Sequence, residues 1–204
     1  MLNNRHLFLV PSLLISLTLG ILSSWAGEPT QQIKETTDKI LAIFSNPSMQ
    51  GPAHAEERKK MISQTVEERF DWEEMSRRSL ARHWAARTPE EKKEFMGLFR
   101  DLLERTYLDK VDDYSGEAVT YEGDTVDGDY GNVKVKIITS KGKEIPVEYR
   151  VMKKQTCWLV YDITIEGVSF VNNYRSQFNS ILARSPYSEL VKRLKDKISF
   201  AEKK

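Results

Sequence analysis

The chain is poor in the residues that build fixed chemical centres. It has one cysteine in 204 residues, Cys157, so it can form no internal disulfide, and its three histidines, at 6, 54 and 83, have no spacing that suits a zinc site. A metal centre, a disulfide-stapled fold and a resident cofactor are therefore not expected. Charge of one sign is missing as well: 31 Lys+Arg oppose 30 Asp+Glu. That balance removes the field with which a general nucleic-acid binder draws in its target. There is no Gly-x-Ser-x-Gly, no Gly-rich phosphate loop and no His-Glu-x-x-His. The only Asn-X-Ser/Thr triplet, Asn46-Pro47-Ser48, is blocked by its proline, which fits a bacterial product better than a glycosylated one.

What is present begins with a leader. Arg5 opens it, Leu7 to Leu22 carries no charge over 16 residues, and Ser24-Trp25-Ala26 places small residues at −3 and −1. This is the plan of a cleaved signal peptide over 1–26. A membrane-spanning helix needs roughly 20 apolar residues, and Pro11 and the short run argue against one. Without the leader the remaining chain has 30 basic and 30 acidic residues.

Helical signals come first. Ile33, Ile40, Leu41 and Phe44 form one face over 30–44, and Pro47, Gly51 and Pro52 then break the chain. Residues 53–70 read as a solvated helix with a sparse stripe of Met61, Ile62, Val66 and Phe70. Asp71 caps a helix expected to run to Ala86. Thr88-Pro89-Glu90-Glu91 is a stronger start, with a cap, a proline at the first helical position and a glutamate that reaches back. Phe95, Leu98, Phe99, Leu102, Leu103 and Tyr107 follow it at helical spacing.

After Tyr114-Ser115-Gly116 the period changes to two. Val133, Val135 and Ile137 alternate with lysines. Beyond Lys141-Gly142-Lys143, Ile145, Val147, Tyr149 and Val151 alternate again, which predicts a hairpin. A weaker strand is expected over 117–126 and a fourth over 157–165, with Leu159, Tyr161, Ile163 and Ile165 on one face and Trp158 and Val160 on the other. Helices are expected from Ser169 to Leu182 and over 187–198. The fold class is α+β: helices, a four-stranded antiparallel meander, then helices laid on it.

Residues 133–182 hold 23 apolar side chains in 50 positions, so the core and any cavity belong there. Pattern alone does not separate a cavity lining from packed core. An acid/base pair can be assembled from Asp162 and His83 with a tyrosine, which leaves an isomerase or hydrolase open. The competing expectation is that Asp162 is buried and braced by Arg175, because a buried carboxylate needs a partner. Cys157, beside Trp158, is expected to be buried and inert. A non-catalytic adaptor in the cell envelope is a third possibility.

The stretch from Trp158 to Phe178, WLVYDITIEGVSFVNNYRSQF, resembles the signature of the periplasmic phospholipid-binding proteins of the Mla pathway, also called the toluene-tolerance family. Arg69-Phe70-Asp71, Met75, Leu80-Ala81-Arg82-His83-Trp84, Phe95, Phe99, Leu102-Leu103 and Tyr107 are similar to the helical half of the same family. Ala81 stands where many members carry glycine, a change a helix accepts easily. The resemblance implies a carrier with an NTF2-like sheet and a helical subdomain around an apolar cavity that holds a glycerophospholipid as cargo. It also implies a monomer whose partners are an inner-membrane ABC transporter complex bearing an MCE protein and an outer-membrane lipoprotein complex. On that basis 27–116 is a mainly helical half and 117–204 a sheet with C-terminal helices, together one lipid-binding unit. The expected lining is Val147, Tyr149, Val151, Tyr161, Ile163 and Ile165 from the strands, Phe99, Leu102 and Leu103 from the long helix, and Val168, Val171 and Tyr174 after the fourth strand. No catalytic residue is expected, and the head group can stay in water.

Overall fold

The structure is a computed structural model that describes residues 27–107 and 116–201. The leader over 1–26 and the Tyr114-Ser115 junction lie outside the described residues. None of the described helices is long and apolar enough to cross a membrane.

Among the described residues four α-helices precede the sheet: α1 (Glu28–Ser45), α2 (Ala55–Glu67), α3 (Trp72–Leu80) and α4 (Pro89–Tyr107). Each starts where local chemistry favours it. Pro29 opens α1. Asp71 Oδ1 accepts from the Glu74 N–H at 3.1 Å to cap α3. At α4 the capping box closes both ways, with Glu91 N–H to Thr88 Oγ1 at 3.2 Å and Thr88 N–H to Glu91 Oε2 at 3.0 Å.

The α3 helix stops six residues before the expected Ala86. Ala81 has φ +47° and ψ −122°, a region L side chains avoid, and a 3-10 turn over Ala81–His83 follows. Glycine, which the family resemblance leads one to expect there, suits this backbone, so Ala81 is a strained position and not a helical one.

The sheet is antiparallel, in the order β1 (Ala118–Asp127), β2 (Tyr130–Ile138), β3 (Glu144–Lys154), β4 (Cys157–Ile165) and β5 (Val168–Ser169). It has five strands where four were expected. The fifth is two residues long, turned back on β4 by Glu166-Gly167, both at positive φ. Ser169 then caps α5 (Phe170–Leu182), and α6 (Tyr187–Ala201) completes the chain. The same edge of β4, the one away from β3, is bridged at Val160 by the segment before α3: Asp71 N–H donates to Val160 O at 2.8 Å and Val160 N–H to Arg69 O at 2.9 Å. Arg69 ties this junction to α1 through Gln32 and Thr36 and to the Trp158 carbonyl.

One β-bulge changes which residues share a face. Arg150 pairs with Asp162 but Val151 pairs with Val160, so Tyr161 has no partner on β3. An extra residue inverts the alternation beyond it. Trp158 and Val160 therefore lie on the same face as Ile163 and Ile165, and Tyr161 lies on the opposite one, contrary to the two-face reading of the strand. Cys157, the first residue after the β3–β4 turn, is exposed and not buried.

Two apolar bodies result. The larger joins α3, α4, α5 and α6 around Phe95, Phe99, Phe178 and Leu190. The second is the sheet face under α1, built from Val133, Val135, Val147, Val151, Trp158 and Val160 with Ile33.

Candidate functional site

Strand register places apolar side chains in rows across one face of the sheet. Val119, Ile137 and Ile145 form the first row, Tyr121, Val135, Val147, Ile165 and Val168 the second, and Val133, Tyr149 and Ile163 the third. A fourth row holds Val151 and Val160 beside Gly131, where a Cβ would come within 3.2 Å of Val151. The N-terminal part of α1 is pinned over the Trp158 end: Glu28 pairs with Lys153 at 3.1 Å, Gln32 accepts from the Trp158 N–H at 2.8 Å, and Thr30 bonds Asp124. At the opposite end the rows are only half-buried, and Val168 is 56% exposed. A contiguous apolar floor left partly accessible is what a binding surface presents.

The helices supply a neighbouring wall. Phe99 meets Tyr174 edge-to-face at 5.3 Å and Phe178 at 5.7 Å, while Leu102, Leu103 and Val171 are buried around them. Tyr107 at the end of α4 stacks on Phe170 at the start of α5, 4.2 Å between ring centroids. Ile163 and Ile165 touch both the sheet body and the helical body, so the seam between the two runs along the end of β4.

The twelve expected lining residues thus fall in different places. Val147, Tyr149, Val151, Ile163 and Ile165 share the floor, and Val168 lies on its outer rim. Phe99, Leu102, Leu103, Val171 and Tyr174 belong to the packed helical body. Tyr161 is on the opposite face, where the Arg78 guanidinium sits 4.0 Å above its ring and Tyr130 meets it edge-on. The sequence reading missed Val119, Tyr121, Ile137 and Ile145 on the floor, and the Tyr107–Phe170 stack at the seam. The in-phase alternation of the predicted hairpin was the available signal for Ile137 and Ile145.

Tyr149 is the central polar group of the floor, with Tyr121 one row away. It retains accessible surface, yet the surrounding protein desolvates its phenol and, with Tyr121 nearby, pushes its pKa up to about 12. Accessible surface on a group so enclosed is what the wall of a concavity presents. At the same end a surface ion pair, Lys143 with Glu166 at 2.8 Å, joins the two turns flanking Ile145 and Ile165.

Asp162 points away from the floor. Its Oδ2 accepts from Ser169 Oγ at 2.6 Å and its Oδ1 from the Val171 N–H at 3.0 Å, with Arg150 at 3.9 Å. It is a buried anchor for the N-terminus of α5, where a negative charge is favoured. The expected partner, Arg175, is on the exposed side of α5 and bonds Asn172. Arg175 is one turn too far along the helix to reach a carboxylate lodged beneath its first residues. His83 meets Asn179 at 3.3 Å and Arg82 at 3.4 Å. Among the described residues no group of His, Cys, Asp and Glu is placed to hold a metal. An open groove of about 520 Å³ follows α4 past Glu90, Lys93, Gly97, Leu98 and Asp101 and includes none of the expected lining.

These features define a class: an α+β protein with a five-stranded antiparallel sheet, one face of which forms an apolar floor running into a helical core. Residues 34–196 match the family model described as MlaC protein, and the chain belongs to that family. The intermembrane phospholipid transport system binding protein MlaC of Haemophilus influenzae is 24% identical over 125 residues, which are 59% of this chain and 58% of that relative's length. The phospholipid-binding protein from Ralstonia solanacearum, solved in complex with a phospholipid, is similar in fold with a TM-score of 0.77 at 25% identity, over 85% of this chain and 98% of that one.

Proposed function

We propose that the chain is a periplasmic phospholipid carrier and not an enzyme. It would collect lipid at one membrane complex and release it at another, an outer-membrane lipoprotein complex and an inner-membrane ABC transporter with an MCE protein, acting as a monomer on an NTF2-like plan. The observation that carries this reading is the apolar floor, half-buried around Ile137, Ile145, Ile163 and Ile165 and continuous with the helical body. Each methylene moved into water costs about 0.8 kcal/mol, so two tails with roughly 30 of them cost on the order of 20 kcal/mol. A carrier must offer an apolar surface in place of the bilayer, and this face is one. Tail binding needs no charge beside it, which suits a floor whose one central polar group is a neutral phenol. The chain's overall neutrality supports the shuttle role, because a strongly basic protein stays on an anionic membrane.

The test is organic extraction of protein purified without detergent, followed by mass spectrometry. Phospholipid is the expected finding. An Ile165→Trp variant, which fills the seam, should carry several-fold less lipid with an unchanged circular dichroism spectrum. Protein that brings no lipid from cells and takes none from vesicles overturns the proposal.

A further inference from the structure

Tyr149 poses a problem that tail binding alone does not answer. Its register places it between Val133 and Ile163, in the third row of the floor. Its phenol is enclosed by protein, and among the described residues no hydrogen bond to its hydroxyl is formed. The residue keeps accessible surface, so water is the hydroxyl's partner in the empty floor; a lipid that displaces that water leaves the donor unpaired unless it supplies an acceptor, a cost phenylalanine would avoid. The hydroxyl of Tyr121, one row away on the same face, is buried beside Thr37 of α1 and lies out of a ligand's reach. The donor of Tyr149 is thus left for whatever occupies the floor.

We infer that the Tyr149 hydroxyl donates a hydrogen bond to an ester carbonyl of the bound lipid, making Tyr149 a specificity-determining residue for ester-linked diacyl cargo. This rests on the carrier reading above. The ester carbonyls are the strong acceptors next to the alkyl chains, so a donor set into an apolar floor can meet them while the head group remains outside. An ether linkage has no carbonyl and offers only a weak acceptor at the same place. The contact would also set how deeply the glycerol backbone sits, since the hydroxyl is held by a central strand with neighbours on both sides.

The test is a competition. The full chain is delipidated and incubated with vesicles holding equal amounts of diester and diether phosphatidylglycerol with matched saturated chains. The two bound species are then counted by mass spectrometry. One hydrogen bond should favour the diester by roughly threefold to tenfold. Tyr149→Phe should bring the ratio to one. The ratio is internal to each sample, so partial misfolding of the variant does not mimic the result. A wild-type ratio of one, or a preference that persists in Tyr149→Phe, overturns the inference and leaves lipid binding intact. Uptake of neither lipid overturns the carrier reading itself. In the lipid-free state Tyr149→Phe should melt no lower than wild type, because it removes a hydroxyl without a protein partner. A lower melting temperature would show that the hydroxyl serves the fold.

Discussion

Replacing Ala81 by glycine should stabilise the protein, although glycine substitutions in and around helices usually do the opposite. Ala81 ends α3 at φ +47° and ψ −122° and its methyl group is exposed, so the substitution removes no buried contact. A non-glycine residue in such a region stores about 1–3 kcal/mol of strain. Glycine relieves that strain but gives the unfolded chain extra freedom, a cost of about 0.4–1 kcal/mol. The difference is a net gain of about 0.5–2 kcal/mol. For a chain of this size each kcal/mol moves the melting temperature by about 2–4 °C, so a rise of roughly 1–8 °C is expected. A matched control lies at the end of α5, where Ala183 is also exposed but has φ −72° and ψ −18°. Ala183→Gly has no strain to relieve and should destabilise by about 0.4–1 kcal/mol. The assay is urea unfolding of wild type and both variants, followed by circular dichroism. If Ala81→Gly loses stability as Ala183→Gly does, the strain argument is wrong.

Two further outcomes follow from the buried carboxylates. Asp162→Ala leaves the Val171 N–H and the Ser169 hydroxyl without their acceptor and should cost about 2–4 kcal/mol, with Asp162→Asn costing less; an alanine variant that unfolds at the wild-type urea midpoint would refute the anchoring role. Glu74 receives bonds from Arg77 at 2.6 and 2.5 Å and from Arg78 at 2.7 Å. The Arg77 bonds above all hold its pKa below the ordinary value, against the opposing effect of burial. Its folded pKa is therefore the lower one, so its contribution is full above about pH 4.3 and is lost as pH falls through the folded value. The stability gap between wild type and Glu74→Gln should shrink from pH 7 towards pH 3, and a gap that does not change with pH would show that the ion pair is not its source.

The helices were legible because their signals are local. Thr88 and Glu91 close a capping box within four residues, and the apolar spacing from Phe95 to Tyr107 repeats in register with the helix. The hairpin of β2 and β3 was legible for the same reason. The candidate site was legible only in part. Val147, Tyr149 and Val151 could be placed on one face by alternation, but the positions of Tyr161, Ile163 and Ile165 depend on a bulge against β3 that leaves no mark in the β4 sequence. The partner of Asp162 was missed because two donors close by in the sequence, Ser169 and the Val171 N–H, reach it before Arg175 can.

What the amino-acid sequence determined by itself was everything that depends on short range or on composition: the element types, most of their starts, the charge balance, and a family signature around Asp162. Tertiary structure alone decided which side chains share a surface. The alternation of a strand holds only until an extra residue shifts its register, and burial depends on which helix crosses which row. For that reason Ile163 and Trp158 came to share a face, Val168 and Cys157 came to lie outside, and Tyr149 became an enclosed hydroxyl in an apolar floor.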